Sequence, residues 1–216
     1  MAILEVGDLS AGYGRARVLF DVGFEVNAGE VVALLGRNGA GKSTTLKAIM
    51  GLVPPASGSI VFDGRNLKNL EPYRIARLGL GYVPEDRRIF TELTVNENLE
   101  VGRQPPRRGA PEWTEERLFA LFPALRALRD RAGGRMSGGE QQMLCIARTL
   151  AGNPAAILLD EPSEGLAPVV VEQVAKAVAQ LKRSGVAVLL AEQSRRFAGR
   201  VADRAYVLEK GMISPA

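Results

Sequence analysis

The 216 residues carry a net charge of +4, with 46% of them apolar and 24% charged. That balance describes one domain with a substantial core, at most with a subdomain inserted into it. A single cysteine, Cys145, excludes an internal disulfide and suits the cytoplasm, and apolar runs of five or six residues such as Val186 to Ala191 exclude a bilayer-crossing helix, which needs about 20.

The excess positive charge is mostly arginine scattered along the chain, which reads as solvated faces rather than a nucleic-acid or lipid patch. No histidine is present. The first residues lead directly into a strand-like segment, without a signal-peptide pattern. Ile3 to Leu9 alternates as a strand does, and Ser10 to Ala16 reads as a loop holding a lone aromatic, Tyr13. Val18 to Val26 alternates again, and Asn27 to Glu30 turns into the apolar strand Val31 to Leu35. Helix spacing follows over Ser43 to Met50, with Pro54-Pro55 closing that region. Ser59 to Phe62 is a strand ended by Asp63-Gly64, Pro72 to Leu78 a helix capped by Gly79, and Leu80 to Val83 a strand.

From Pro84 the composition changes. Pro84 to Arg88 is charged and loop-like, and Thr94 with Glu97 forms a capping box for a helix. Gln104 to Pro111 is a Pro/Arg-rich linker expected to be solvated, and Trp113 to Phe122 an amphipathic helix with Trp113 as a packing residue. Arg131 to Met136 is a loop, and Gly138 to Ala151 a helix on which Cys145 reads as a small core residue. Strands Ala155 to Leu159 and Val186 to Leu190 flank a helix over Val169 to Arg183. Ser194 to Val201 is a helix, and Arg204 to Leu208 is expected to be the last strand. Strands alternating with helices predict an α/β fold with a largely parallel sheet.

The chemistry concentrates in three stretches. Gly36 to Thr44, GRNGAGKST, fits the phosphate-binding loop in full and sits between a buried strand and a helix. Gly36, Gly39 and Gly41 allow a tight backbone whose N–H groups, with those of Asn38, Ala40 and Thr44, face phosphate oxygens. Lys42 is expected to reach the β- and γ-phosphates, and Ser43 to offer its hydroxyl to Mg²⁺. Such a loop implies a nucleoside triphosphate. Ile157 to Glu161, an apolar strand ending in two acids, supplies the expected second element: Asp160 for the metal and Glu161 to orient and deprotonate water. Ser137-Gly138-Gly139 opens another helix, with Ser137 as N-cap and two glycines that let a ligand approach the exposed N–H groups.

The order of phosphate loop, charged loop, SGGEQQ and LLDEP resembles the ATP-binding cassette ATPases along essentially the whole chain. The resemblance implies a P-loop NTPase with a RecA-like parallel core, an N-terminal antiparallel β subdomain and an inserted α-helical subdomain. The boundaries implied are about 1–84 and 154–216 for the core and 85–153 for the helical signature part. It further implies ATP and Mg²⁺, and two cassettes closing head to tail. Each ATP then lies between the phosphate loop of one cassette and Ser137, Gly138 and Gly139 of the other. Tyr13 matches the aromatic that stacks on adenine. Family members usually continue for a few segments past the position of Ala216, so a shortened chain is expected.

Three positions depart from the family pattern. Glu85 stands where glutamine is usual, keeping an oxygen for Mg²⁺ while adding charge. Met136 replaces leucine at the start of the signature. Gln193 replaces the histidine that touches the γ-phosphate, keeping a donor that cannot titrate. YVPEDRRIF, TVNENL, DEPSEGLAP and AEQ together resemble one ATPase subunit of bacterial branched-chain amino acid importers, with Glu164 unusual in its stretch. That resemblance implies catalytic roles for Lys42, Glu161 and Gln193. Its implied partners are a distinct paralogous cassette, membrane permease subunits and, indirectly, a periplasmic solute-binding protein. It also implies a peripheral place on the cytoplasmic side of the inner membrane. Importers of urea or short amides are similar. A cassette acting on nucleic acid or ribosomes is the rival of another class, but the chain has neither paired cassettes nor a long coiled coil, so no nucleic acid is expected.

Overall fold

The computed structural model describes residues 2–216. Two sheets organise it. Strands β1 (Ala2–Tyr13), β2 (Ala16–Asn27), β4 (Pro55–Phe62) and β5 (Arg65–Asn66) form an antiparallel sheet in the order β2-β1-β4-β5. The second sheet, in the order β10-β9-β3-β8-β7-β6, comprises β3 (Val31–Leu35), β6 (Leu80–Val83), β7 (Ala156–Asp160), β8 (Ala187–Glu192), β9 (Arg204–Glu209) and β10 (Met212–Pro215). All its pairings are parallel except β9 with β10. Helices α1 (Lys42–Ile49) and α2 (Pro72–Leu78) precede β6. Between β6 and β7 lie α3 (Val95–Gly102), α4 (Glu115–Leu121), α5 (Pro123–Ala127) and α6 (Gly138–Leu150). Helix α7 (Pro168–Arg183) joins β7 to β8, and α8 (Arg195–Val201) joins β8 to β9.

The apolar runs of β3, β7 and β8 are unbroken because both faces of this sheet are covered. Val31, Ala33, Leu35, Ile157, Leu159, Val188 and Leu190 face one core, shared with α3 to α8. Val32, Leu34, Ala156, Leu158, Ala187, Leu189 and Ala191 face the other, shared with α1 and the antiparallel sheet. Strand register then fixes what meets at the carboxyl edge. Leu35 pairs with Glu192, Asp160 with Ala191 and Val83 with Leu159. The segments beginning at Gly36, Gln193, Glu161 and Pro84 therefore leave the sheet side by side, at the edge where ligands bind in open α/β sheets.

Five expectations change. Ser10–Ala16 is not a loop: β1 runs to Tyr13 and β2 starts at Ala16, leaving a turn at Gly14-Arg15. Bulges between Val6 and Leu9, and around Ala11, break the alternation that would have revealed the longer strand. Strand β4 starts earlier, at Pro55, through Ser-Gly positions with little apolar signal. The helix expected from Trp113 starts at Glu115, capped by Thr114, and Pro123 then opens the separate helix α5. Arg204–Glu209 is not the last strand: Lys210 and Gly211, both at positive φ, turn the chain back into β10. The Gln104–Pro111 linker is partly docked, because Arg107 reaches carbonyls of Ala76 and Arg77 at the end of α2. By contrast, α2 and β6 span the residues expected, and the capping boxes at Thr94 and Ser137 are both present.

Candidate active site

Gly36 to Gly41 connects β3 to α1. Gly39 and Gly41 adopt φ of +80° and +112°, which other residues resist. Gly36 is needed for a different reason: a Cβ there would lie 2.5 Å from the Leu208 carbonyl oxygen of β9. Lys42 is buried at 3% exposure. Its Nζ donates to the carbonyls of Gly36 (2.9 Å) and Arg37 (3.2 Å) and pairs with Glu161 at 2.9 Å. Thr44 is buried, Ser43 is half-buried, and Asn38 is exposed on the rim of the loop.

Ser43 and Asp160, far apart in sequence, meet at the carboxyl edge. Ser43 Oγ donates to Asp160 Oδ1 at 2.9 Å, and Tyr82 Oη donates to Asp160 Oδ2 at 3.1 Å. Burial pushes the Asp160 carboxyl up, the two hydrogen bonds oppose that shift, and the charge of Glu85 adds to it. Glu85 itself is exposed in the loop after β6. Hard oxygen donors converging in this way suit Mg²⁺, which takes one or two carboxylates and leaves its other positions to water and phosphate. No cluster of three or more carboxylate, imidazole or thiol groups that could hold a metal ion occurs among the described residues.

Glu161 follows Asp160 with φ of +46°, a left-handed backbone rare for a non-glycine residue and concentrated at functional positions. Its amide donates to the Ala191 carbonyl at 2.9 Å. Exposed Glu164 hydrogen-bonds to Glu161, which with partial burial and the charges of Glu161, Glu85 and Glu192 pushes its carboxyl up to about 7. Gln193 is exposed and lines a groove of about 650 Å³ with Gly36 to Ala40 and Arg195. Tyr13 is 51% exposed at the end of β1, open for stacking.

Two groups here escaped sequence reading. Tyr82 gave no signal beyond strand alternation. Glu192, 2% exposed, accepts from Ser163 Oγ (2.6 Å), Ser163 N (3.2 Å) and Ser194 N (3.1 Å). It thereby ties the loop after β7 to the end of β8. A glutamate ending an apolar strand among serines is a weak signal that could have found it.

Ser137, Gly138 and Gly139 stand apart from this cluster. The Ser137 side chain and amide exchange hydrogen bonds with Glu140 alone, completing the capping box of α6. Ser137 and Gly138 are exposed, whereas a Cβ on Gly139 would lie 2.7 Å from Val170 Cγ2. The loop carrying Glu85 is fastened to the same helix: Arg148 donates to the Arg88 carbonyl at 2.7 Å, Cys145 Sγ to the Arg87 carbonyl at 2.8 Å, and Arg87 to Gln142 Oε1 at 3.3 Å. Burial pushes the Cys145 thiol up to about 11, which leaves it unreactive.

A phosphate loop at the carboxyl edge of a parallel sheet, backed by the two acids ending β7, defines a P-loop nucleoside triphosphatase. The chain belongs to the ABC transporter family, whose model matches residues 19–164. It is 45% identical to BraG of Pseudomonas aeruginosa, a high-affinity branched-chain amino acid transport ATP-binding protein, over 98% of this chain and 91% of that one. It is 39% identical to LptB of Escherichia coli strain K12, the lipopolysaccharide export system ATP-binding protein, over 99% and 89%. A solved ATP-binding subunit of an ABC transporter superposes with a TM-score of 0.85 at 33% identity, over 99% of this chain and 90% of that one. An ATP-binding cassette solved in its ADP conformation gives 0.82 at 30% identity, over 99% and 90%. The chain is thus an ABC ATPase, a subunit that binds and hydrolyses ATP to power transport. No helix among the described residues is long and apolar enough to cross a membrane.

Proposed function

We propose that this ATPase powers import of branched-chain amino acids. The observation that carries this reading is 45% identity, over almost the full length, to an ATP-binding protein of branched-chain amino acid transport. The chain would sit on the cytoplasmic side of the inner membrane, bound to permease subunits and paired head to tail with a second, distinct cassette. A periplasmic solute-binding protein would deliver the solute. The core would be residues 1–84 and 154–216, and the helical part 85–153. The fastening of the Glu85 loop to α6 through Arg148, Cys145 and Arg87 supports a role for that loop in passing motion between nucleotide and permease.

In this reading Tyr13 stacks on adenine, and the amides of Gly36 to Thr44 hold the phosphates. Phosphate oxygens entering the loop compete for the Lys42 ammonium, and each contact they win loosens its hold on Glu161. Glu161 then orients water and takes its proton as the water attacks the γ-phosphate, while Gln193 donates to a γ-phosphate oxygen. Ser43, Asp160 and Glu85 would hold Mg²⁺, which when bound neutralises phosphate charge. Glu161→Gln keeps shape and removes the base, so hydrolysis should fall by about 10²–10⁴-fold with ATP binding retained.

A second reading rests on the 39% identity to LptB, which would make the solute a lipopolysaccharide leaving the cell. Deleting the gene and measuring uptake of labelled leucine, valine and urea separates these. Loss of leucine and valine uptake, restored by the wild type and not by Glu161→Gln, is the expected outcome. Loss of urea uptake alone, or loss of surface lipopolysaccharide with normal uptake, would overturn the branched-chain reading.

A further inference from the structure

A groove away from the nucleotide residues lies between α4–α5 and α7. It encloses about 700 Å³, within the range of small-molecule sites. Its apolar floor is Trp113, Ala120, Leu121 and Pro123, and its rim carries three cations, Arg117, Lys176 and Arg183. No carboxylate lines it. Arg117 lies over the Trp113 ring at 5.8 Å, which holds the guanidinium at the groove wall. Arg183 donates to Gln180 Oε1 at 2.8 Å, which steadies the far end. Trp113 is 6% exposed, and its indole Nε1 is buried without a hydrogen-bond partner.

The groove is separate from the signature residues. Gly139 packs against Val170 near the start of α7, and Gln180 lies ten residues further on, about 15 Å along the helix. We propose that this groove binds an amphiphilic organic anion: an apolar ring or chain over Trp113, Leu121 and Pro123, and a carboxylate, sulfonate or phosphate among Arg117, Lys176 and Arg183. Charge complementarity and an apolar floor select that class; a neutral molecule would leave the cations unpaired, and an inorganic anion would leave the floor uncovered. Its two walls come from segments on either side of β7, so an occupant would bridge α4 and α7. The inference rests neither on the transported solute nor on the hydrolytic residues.

Trp113 is the chain's single tryptophan, so its fluorescence reports on this groove alone. The test titrates the full chain with 8-anilinonaphthalene-1-sulfonate and reads quenching of Trp113 together with sensitised probe emission. Saturable binding that weakens with salt is expected, and the uncharged N-phenyl-1-naphthylamine should bind at least ~10-fold more weakly. Arg117→Glu combined with Lys176→Glu should weaken the anionic probe by ~10-fold or more, with circular dichroism and the melting temperature retained. Should that pair unfold the chain, Lys176→Glu alone, at an exposed helix position, serves with an expected loss of at least ~3-fold. Equal affinity for the charged and neutral probes, equal affinity in wild type and variant, or probe binding without Trp113 quenching would overturn the proposal. So would displacement of the probe by an acidic peptide but not by a fatty-acid carboxylate, which would make the groove a protein-docking site.

Discussion

Asp160 is held where burial and charge oppose each other. At 1% exposure its carboxyl lies above the ordinary range, so just above pH 3.8 the folded protein keeps a proton that the unfolded chain has lost. Stability contributed by that proton is present at low pH and is lost as pH rises through the folded value. Asp160→Asn should therefore raise the melting temperature of the nucleotide-free chain at pH 7 and do so less at pH 4. An equal gain at both would mean that the carboxylate carries no burial penalty. Gln193 makes a separate prediction, because an amide has no ionisation near neutrality. A donor to an ionised phosphate is worth about 1.5–3 kcal/mol, or roughly 10–150-fold in rate if felt only in the transition state. ATPase rates in the assembled transporter should rank Gln193→His mildest, Gln193→Ala within that loss and Gln193→Glu worst. The histidine variant alone should gain a rate change near pH 6–7 of its own. Wild-type turnover by Gln193→Glu would leave the residue to local packing.

The two signature glycines differ in what surrounds them. A Cβ on Gly138 would lie 2.9 Å from the tip of the flexible Arg87 side chain, whereas one on Gly139 meets β-branched Val170 at 2.7 Å. Gly138→Ala should fold about as well as wild type. Gly139→Ala should lose about 1–2 kcal/mol by overpacking, and Val170→Ala in the same chain should recover part of it. Denaturant unfolding of the four proteins measures this; additive losses would show that Gly139 and Val170 do not press on each other. Elements with chemical punctuation were legible in the sequence: Thr94 with Glu97 and Ser137 with Glu140 bracket their helices, and Gly79 ends α2 at φ of +106°. Elements that depend on partners were not. Strand β10 has no alternation and exists because Met212 to Pro215 pairs with β9. Bulges in β1 hid half its length for the same reason: pairing across the sheet sustains a strand where local pattern lapses.

In the molecule as a whole, the phosphate loop and the signature helix start belong to separate surfaces. Ser137 hydrogen-bonds only within its own cap, and Gly138 is exposed. If they meet through a second cassette, Lys42→Ala and Ser137→Arg should behave differently in the two arrangements of a mixed pair. With shared sites, both changes in one cassette fall in different composite sites, whereas one change in each cassette puts both in the same site. In a pair with equivalent sites, the joined arrangement damages both shared sites and the split arrangement spares one. Hydrolysis by purified mixed pairs reads this difference, and identical rates in the two arrangements would contradict sharing.

The amino-acid sequence alone determined the phosphate loop, the two acids after an apolar strand, the alternation of strands with helices and the membership of the family. Each of these is a short-range pattern whose physical cause lies within a few residues: glycine at positive φ, a cap three residues from its partner, or apolar runs that must be covered. Tertiary structure decided what those patterns touch. Ser43 finds Asp160, and Tyr82 finds the same carboxylate, because strand register sets the segments leaving the sheet side by side. Glu192 becomes a buried tie to Ser163 only once β7 and β8 are neighbours. Trp113, with no motif around it, comes to floor a cationic groove because α4 packs near α7. Such contacts join residues tens of positions apart, and nothing in the local sequence encodes the distance between them.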